Sequence, residues 1–361
     1  MKFVIMTLLQ HHPDPQGVLR PQHEVFDDAV EEAELVEQLG LDAYGVGERH
    51  AQDFLASSPT VTLAAIAART SRIRLLTTVT VLPLLDPVRV AEDYATLHQL
   101  SHGRLEPIVG KGNDPRQLEY FGIDIADQWR LNREKYALLH RLWGDEPVSW
   151  DGGPDAWRPP LTDVITTPRP YLGHRPRVWH GSASSTESTE LAAEYGDPLF
   201  SANAFHRMEK YAVLVDHYRE RYAAHGHDPA RAWVGLGSGA FYVGRTSQDA
   251  VERLRPFFEN VMRTFAASHN RPEWTTIEEA IEIGPYFIGS RQQVLDKIAA
   301  YYERIRHDVF QVAVQGFGLP KADRVASLER FALDVAPELR RLYPSAVWEE
   351  EPVTAPQSLP R

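Results

Sequence analysis

The stretch IRLLTTVTVLPLLDPVRVAEDYATLHQLSHGRLEPIV, residues 73–109, contains one complete strand–helix–strand unit. Its first nine residues are rich in β-branched side chains, which favours a strand. Asp86 and Pro87 then form a typical helix start, with the carboxylate as cap and the proline in the first turn. We predict a helix over residues 88–100 and a second apolar strand over residues 105–109. Two strands joined through a helix in this way pair in parallel.

The same alternation of strand and helix extends over most of the chain. The predicted strands cover residues 2–9, 41–46, 73–81, 105–109, 178–180, 199–200, 233–243 and 309–314. Strands that alternate with helices in this number indicate an α/β fold, a closed (β/α)₈ TIM barrel. The competing fold, an open doubly wound sheet, usually carries G-x-G-x-x-G after its first strand, where this chain has LQHH at residues 9–12. A dinucleotide site of the Rossmann type is therefore not expected.

Two segments interrupt the repeat, residues 143–176 and about 247–285. We expect a single domain over residues 1–348 that includes both excursions, followed by a mobile tail at residues 349–361. Both excursions are candidate lids over the mouth, meaning the end of the barrel where the carboxyl ends of the strands meet. Aromatic residues in these segments are candidates for either a substrate pocket or the core: Trp150, Trp157 and Phe257.

The composition excludes several classes of protein. The 361 residues are 43% apolar and 24% charged, which is typical of a globular chain. With 50 acidic and 38 basic residues the formal charge is −12, which argues against binding to nucleic acid or to an anionic membrane. The absence of cysteine excludes disulfides, thiolate metal sites and cysteine nucleophiles. The apolar run at residues 1–9 is too short for a signal peptide, so we expect a soluble cytoplasmic protein.

Polar residues follow the second strand and occupy the third. In a TIM barrel, functional groups gather at the carboxyl ends of the strands. The GERH motif supplies Glu48, Arg49 and His50 as candidate catalytic residues, and the alternative is a structural Glu–Arg ion pair. Thr78 and Thr80 on the third strand can face a flat ligand, although threonine is also an ordinary strand residue.

The fourth and fifth strands end in small and polar residues. Lys111, Gly112 and Asn113 combine a positive charge with close backbone approach, or form a plain turn. The segment HGSASSTES at residues 180–188 leads into a helix, and its hydroxyls and the positive helix end suit a phosphate. One serine would suffice as an N-cap, so this many hydroxyls favour a phosphate site over a cap. The candidate cofactor-binding residues in this segment are His180, Gly181, Ser184, Ser185 and Ser188.

Several segments of the chain resemble the bacterial luciferase-like flavin-dependent oxidoreductases. The block at residues 73–112 is the most specific of them. Three other segments add weaker support and follow one another in the order found in that family. They are GERH at residues 47–50, SSTESTELAAEYGD at residues 184–197 and IGSRQQVLDKI at residues 288–298. The resemblance implies a TIM barrel with FMN, or the deazaflavin F420, at the mouth. It also implies that the isoalloxazine ring lies near the second to fourth strands.

The resemblance assigns roles to individual residues. It implies a non-prolyl cis peptide bond between Thr78 and Val79 and phosphate contacts from Ser184, Ser185 and Ser188. Lys111 stands where relatives often have arginine. Either Arg130 or Arg133 could reach the same phosphate, and the sequence does not choose between the two.

The leading functional hypothesis is an FMN-dependent monooxygenase of the two-component kind. A separate flavin reductase would supply reduced FMN, and O₂ would be used to oxidise a small organic substrate. The light-emitting relatives have two adjacent histidines after the second strand, and here Arg49 takes the first place. Arginine is always charged and cannot act as a base, so luminescent aldehyde oxidation is not expected. His50 is the titrating group suited to proton transfer.

Three alternative functions are compatible with parts of the sequence. An F420-dependent hydride-transfer enzyme would use the same fold without oxygen chemistry. A flavin-binding partner subunit would lack catalysis, although Glu48, His50 and Lys111 argue against it. A metal hydrolase is suggested by the 15 histidines, but His11 and His12 are adjacent and would point to opposite sides of a strand. Relatives commonly dimerise, so we expect a homodimer.

Overall fold

The computed structural model describes residues 1–349, apart from residues 15, 154, 156, 184, 266–271 and 314–317. Its strands are β1 (Lys2–Thr7), β2 (Ala43–Val46), β3 (Arg74–Val81), β4 (Leu105–Gly110), β5 (Val148–Trp150), β6 (Leu161–Val164), β7 (Trp179–Ser182), β8 (Leu199–Ser201), β9 (Val234–Leu236), β10 (Ala240–Val243), β11 (Tyr286–Gly289) and β12 (Val309–Val312). Its helices are α1 (Gln22–Gln38), α2 (Pro59–Arg69), α3 (Pro87–Leu100), α4 (Pro115–Tyr120), α5 (Gln128–Leu142), α6 (Thr186–Tyr195), α7 (Met208–Ala224), α8 (Ser247–Phe265), α9 (Ile277–Ile283), α10 (Arg291–Ile305), α11 (Lys321–Arg330) and α12 (Ala336–Leu342).

Eight of the strands form a closed parallel barrel in the order β1-β2-β3-β4-β7-β8-β9-β12, and β12 pairs with β1. The predicted TIM barrel is therefore confirmed, and each predicted strand corresponds to one barrel strand. Alternate residues of each strand face the barrel interior, where Val4, Leu76, Ile108, Trp179 and Val309 pack together. The amino ends of the strands form the opposite end of the barrel, called the floor below.

Local sequence signals account for the helix starts. The Asp86 carboxylate accepts a hydrogen bond from the Val88 amide at 2.9 Å, as the cap prediction required. Asp114 accepts in the same way from the amide of Arg116 at the start of α4. Within the described ranges, no helix has the length and apolar composition needed to cross a membrane.

The strand predicted over residues 233–243 is two strands. β9 belongs to the barrel, whereas β10 leaves it and pairs in parallel with β11 in a separate two-stranded sheet. The break falls at glycines that allow close approach of other groups. A Cβ atom on Gly239 would lie 2.4 Å from a ring carbon of Tyr286. The apolar run over residues 233–243 is continuous in the sequence, so its pattern does not indicate that the chain passes from one sheet to another.

The second excursion forms a layer of its own beside the mouth. Helices α8 and α9 cover the β10–β11 sheet, and Phe257 is part of the apolar cluster between them. The Asn260 side chain donates to the Pro13 carbonyl after β1 at 3.1 Å. The Glu273 amide donates to the Phe205 carbonyl after β8 at 3.3 Å. This excursion thus borders two loops of the mouth, and its role as a lid stays a prediction.

The first excursion contains an antiparallel hairpin of β5 and β6 that packs against α5. The rings of Trp150 and Trp157 lie 6.2 Å apart and belong to the apolar core beside this helix. Arg141 and Lys135 of α5 lie over their faces, at 6.0 and 5.3 Å from the ring centroids. Both tryptophans are partly buried and pack against the edge of the core, and Trp150 also lines a surface pocket with Arg141 and Leu161.

The segment after α12 covers the floor of the barrel. Val347 is completely buried against the interior side chains. The indole of Trp348 donates to the buried carboxylate of Glu106 at 2.8 Å. Glu349 pairs with Lys2 at 2.9 Å. The rest of the predicted mobile tail, residues 350–361, lies outside the described residues.

Candidate functional site

Glu48 connects the end of β2 to the end of β3. Its side chain is buried, and one oxygen accepts a hydrogen bond from the Val81 amide at 2.7 Å. The other oxygen lies 3.0 Å from Nε2 of His50. A carboxylate can only accept here, so His50 carries its proton on Nε2 and leaves Nδ1 as the atom that can take up a proton. Glu48 is thus a residue that orients His50.

His50 lies at the mouth and is partly exposed. Its ring packs edge-on against Phe121, with centroids 4.7 Å apart. Phe121 directly follows the short helix α4, which the sequence did not connect with His50. The carboxylate on one side and the aromatic ring on the other hold the imidazole in one orientation. This is the arrangement expected of a group that transfers protons.

Arg49 bridges the loops after β2 and β4. Its guanidinium donates to Asn113 at 2.5 Å and to Asp114 at 3.2 Å, and it lies over the ring of Phe54. Burial lowers the pKa of Arg49, and the Asp114 carboxylate partly offsets this effect. Its Nε atom is buried without a hydrogen-bond partner among the residues described. The structural Glu–Arg pair considered from the sequence is therefore replaced by an Arg–Asp pair.

The two threonines predicted at the cofactor site point in different directions. The peptide bond between Thr78 and Val79 is cis, as the resemblance implied. The pairing of β3 with β4 shifts at this place, with Thr78 opposite Ile108 and Thr80 opposite Val109. Thr78 therefore shares the inward face of Ile108, whereas Thr80 is buried on the outer side.

Thr80 is removed from the candidate site by this shift. Its hydroxyl donates to Thr77 at 2.8 Å and also contacts the hydroxyl of Tyr94 on α3. Strict alternation along the strand would have placed Thr78 and Thr80 on the same face. The irregularity at Val79 changes the face of every later residue, so the prediction for Thr80 is corrected.

The loop after β4 is fixed by α5. The Lys111 ammonium donates to Gln128 at 3.2 Å and lies 5.3 Å from the ring centroid of Trp129. Gly112 has a φ of +81°, and a Cβ atom there would lie 2.8 Å from a methyl of Val81. A glycine is therefore required at this position. Gln128 belongs to none of the motifs that mark the candidate site in the sequence.

Lys111 lies close to the start of α6. Burial lowers its pKa, and the nearby Glu187 carboxylate partly offsets this effect. Glu187 is in the first turn of α6. The end of β4 thus brings a cation to the helix end that follows β7, and its role as a phosphate ligand stays a prediction.

The N-terminus of α6 is open. Ser185 is the N-cap residue, and in the described part of this turn no side chain caps the helix. Ser182 instead donates to the Ser185 carbonyl at 3.0 Å. Ser188 is buried in the first turn, and Ser184 lies outside the described residues. The N-cap alternative therefore does not account for these hydroxyls, and the first N–H groups of α6 remain available to an anion.

Two other predicted ligands in this region, Gly181 and His180, lie on opposite faces of strand β7. Gly181 faces the barrel interior next to Val79, where a Cβ atom would lie 2.8 Å from a methyl. His180 faces outward, because it alternates with the inward-facing Trp179. Its Nε2 lies 3.2 Å from Asp197, and its ring packs against Tyr136. The prediction of His180 as a cofactor ligand is therefore corrected.

Neither arginine proposed for the phosphate is directed at the start of α6. Arg130 pairs with Asp127, Glu134 and Asp155. Arg133 pairs with Glu194, which lies in the last turn of α6. Lys111, which interacts electrostatically with Glu187 in the first turn of α6, is therefore the candidate cation for this helix end.

The arrangement fits a flavin phosphate. Free helix N–H groups, hydroxyls and a partly buried ammonium converge at the ends of β4 and β7. Gly110 and Gly181 on neighbouring strands let the Val79 side chain pack closely against the backbone, and the Glu48–His50 pair borders the mouth on the β2 side. Among the described residues, the polar groups at this part of the mouth have the chemistry that suits an anionic ligand.

Residues 1–308 match the family model described as "Luciferase-like monooxygenase". The chain belongs to the luciferase-like monooxygenase family. It is therefore an enzyme, a flavin-dependent oxidoreductase. It is 31% identical over 349 residues to the 4-hydroxyprotoasukamycin monooxygenase of Streptomyces nodosus subsp. asukaensis, a match that covers 88% of this chain and 90% of the relative. It is 23% identical to the oxygenase component of the flavin-dependent trigonelline monooxygenase of Acinetobacter baylyi, covering 93% and 95% of the two chains.

Solved structures of luciferase-like proteins share the fold. The oxygenating constituent of 3,6-diketocamphane monooxygenase from Pseudomonas putida, solved in complex with FMN, aligns with a TM-score of 0.78 at 21% identity and covers 94% of this chain and 99% of its own. The coenzyme F420-dependent tetrahydromethanopterin reductase of Methanopyrus kandleri aligns with a TM-score of 0.71 at 16% identity, covering 93% and 99%.

Proposed function

We propose that this chain is the oxygenase component of a two-component monooxygenase. It would take reduced FMN from a separate flavin reductase and use it with O₂ to oxygenate a small organic substrate. The observation that carries the proposal is the open N-terminus of α6 next to Lys111. That site suits a single terminal phosphate, which is what FMN presents. The relative from Acinetobacter, which is named as an oxygenase component, supports the two-component form.

The bound flavin would supply the reaction with O₂, and the protein would supply positions, charges and shelter from water. Lys111, Ser185, Ser188 and the first N–H groups of α6 would hold the phosphate. Ser184 belongs to the same proposal through the resemblance. Gly112 and Asn113 shape the adjoining loop, and Thr78 and Gly181 face the ring side of the mouth.

The β2 side of the mouth would handle protons. His50, oriented by Glu48, can accept a proton on Nδ1 and return it. Arg49 keeps a positive charge beside it and can stabilise an anion that forms on the substrate. The same oriented Glu48–His50 pair argues against a non-catalytic flavin-binding subunit. Homodimer formation and a cytoplasmic location stay predictions.

The test combines the purified chain with a flavin reductase, NADH, FMN and isotopically labelled O₂. A panel of aldehydes, ketones, terpenes and heteroaromatic carboxylates serves as substrate. We expect one labelled oxygen atom in an organic product, and no product when FMN or the reductase is left out. Product formation with reduced F420 in the absence of O₂ would overturn the proposal in favour of hydride transfer. Failure to label any product in the panel would also count against it.

A further inference from the structure

Several inward-facing positions of the barrel near the mouth are glycines. Residues two positions above the packed interior layer continue the same inward face, because side chains alternate along a strand. The inward positions at this level include Gly110, Gly181 and Gly237, each two residues beyond an inward position of its own strand. Gln311 on β12 is the carboxamide side chain among them, because it alternates with Phe310 and Val312 and shares the face of Val309.

The Gln311 amide is held at one end. Its Oε1 accepts a hydrogen bond from the backbone amide of Ser238 at 3.1 Å. The Ser238 hydroxyl donates to the Gln311 carbonyl at 2.9 Å and fixes the two strands to each other. A backbone N–H can only donate, so the atom facing it must be the carboxamide oxygen. The NH₂ group is therefore the end directed away from Ser238, and no residue of the described structure accepts from it.

Gly237 leaves room for this arrangement. A Cβ atom at position 237 would lie 3.1 Å from Oε1 of Gln311, which is tighter than an ordinary contact. The carboxamide thus lies across strand β9 at a place where the chain has no side chain. Gln311 is partly exposed, so its NH₂ group is accessible to a ligand at the mouth.

Gln311 lies opposite the proposed cofactor anchor. In the order of the barrel, β12 and β4 are separated by the same number of strands in both directions. Lys111 follows β4, and the open end of α6 follows the next strand, β7. A flavin anchored there would lie on the β4 side, which would leave the β12 wall to a second ligand.

We propose that Gln311 determines substrate specificity by donating a hydrogen bond to a carbonyl-type oxygen of the organic substrate. This inference rests on the proposed function, because it takes the flavin to be anchored at Lys111 and α6. An analogue without an acceptor leaves the NH₂ group unpaired next to apolar surface. Such an unpaired donor weakens binding by about tenfold to a hundredfold. The substrate class is therefore a carbonyl compound, rather than a plain hydrocarbon.

The test measures binding to the FMN-loaded protein by equilibrium dialysis. The probes are cyclic ketones of increasing ring size, each paired with the analogue in which an exocyclic methylene group replaces the oxygen. We expect at least one ketone to bind about tenfold or more tightly than its methylene analogue. In Gln311→Met, which keeps the side-chain length but has no N–H, this ratio should fall to about one, with the FMN dissociation constant unchanged.

Two further variants complete the design. Gln311→Glu keeps an oxygen for the Ser238 amide and replaces the NH₂ group, so it should also abolish the preference and serves if the methionine variant does not fold. Gln292→Met, on the exposed face of α10, is the matched control and should keep the wild-type ratio. A ketone preference that survives in both Gln311 variants would overturn the inference, as would a wild-type protein that binds no ketone.

The FMN affinity separates this inference from the proposed function. Wild-type protein that does not bind FMN would refute the proposed function itself. Normal FMN binding without a ketone preference would refute only the assignment of Gln311. A weaker FMN affinity in Gln311→Met, with the ketone ratio intact, would place the amide on the flavin ring and also overturn the assignment.

Discussion

Glu48 at the mouth and Glu106 at the floor are both buried carboxylates, yet their surroundings differ. Glu106 accepts hydrogen bonds from the indoles of Trp179 at 2.9 Å and Trp348 at 2.8 Å. Arg74 and Arg177 lie within 3.7 Å of its other oxygen. The partners of Glu106 come from β3, from β7 and the residues just before it, and from the segment that covers the floor.

The mouth leaves its polar groups only partly satisfied. Glu48 uses one oxygen for the backbone and the other for His50, whose Nδ1 is left for a ligand. The N-terminus of α6 is uncapped in the described structure, and the Lys111 ammonium next to it is only partly buried. The difference between the two ends shows how one barrel separates stability from function. Charges at the floor neutralise one another, whereas charges at the mouth face a site that a ligand can complete.

The largest effect is expected at His50. Replacing it in His50→Ala or His50→Gln should lower kcat by about 10²- to 10⁴-fold, because the group that moves the proton is lost. The FMN dissociation constant should stay unchanged. Reductase-coupled turnover and flavin titration measure the two quantities.

The surface pair of His225 and Glu190 provides the control for this comparison. It has the same kind of contact, with Nε2 and Oε1 2.9 Å apart, but lies away from the mouth. His225→Ala should therefore turn over like the wild type. If His50→Ala kept most of its activity, the mouth would not be the catalytic end.

The second effect concerns the floor. Glu106→Ala should lower the free energy of unfolding by about 3–5 kcal/mol, because it leaves two guanidinium groups facing each other without their carboxylate. Trp348→Phe removes only one donor and should lower it by about 1 kcal/mol. Denaturant unfolding measures both changes. A large loss of FMN affinity in folded Glu106→Ala would contradict the separation of the two ends.

The third effect is a pH dependence at Lys111. Burial lowers the pKa of this lysine, so its charge is lost at a lower pH than that of an exposed lysine. FMN affinity should therefore fall as the pH rises through this lowered pKa, while riboflavin affinity stays constant. Lys111→Arg should remove the pH dependence, because arginine stays charged.

Removing one lysine charge at the mouth and one at the floor of the barrel provides the control for this prediction. Lys111→Met should weaken FMN binding by about tenfold or more at neutral pH. Lys2→Met removes the cation that pairs with Glu349 at the floor and should leave FMN binding unchanged. Equal effects of the two substitutions would mean that the lysine at the mouth has no special role.

The smallest effect is expected at Thr80. Thr80→Val removes hydrogen bonds to Thr77 and Tyr94 and should lower the free energy of unfolding by about 1 kcal/mol. FMN affinity should not change, because the side chain faces α3. Thermal unfolding and flavin titration distinguish this outcome from the one predicted by strict alternation, in which FMN binding would fall.

Local patterns in the sequence were sufficient to predict the barrel. Each barrel strand is an apolar run followed by a helix, and the quoted segment contains its own cap at Asp86. The same patterns located Glu48, His50 and Lys111 at the ends of strands. These predictions succeeded because the carboxyl ends of parallel strands must meet at one end of the barrel.

The facing of individual side chains was harder to predict. Both sides of these strands are buried, so apolar alternation does not tell inside from outside. The irregularity at Val79 places Thr80 on the outer side of the barrel. His180 also faces outward, because it is next in sequence to the inward-facing Trp179. The bond between Glu106 and Trp348 joins residues 242 positions apart and leaves no local signal.

The most direct measurement compares the wild-type affinities for FMN, riboflavin and F420 under the same conditions. If the open end of α6 and Lys111 hold the terminal phosphate of FMN, FMN should bind about tenfold or more tightly than riboflavin and more tightly than F420. Equal affinities for FMN and riboflavin, or a preference for F420, would contradict the assignment of the mouth as an FMN site.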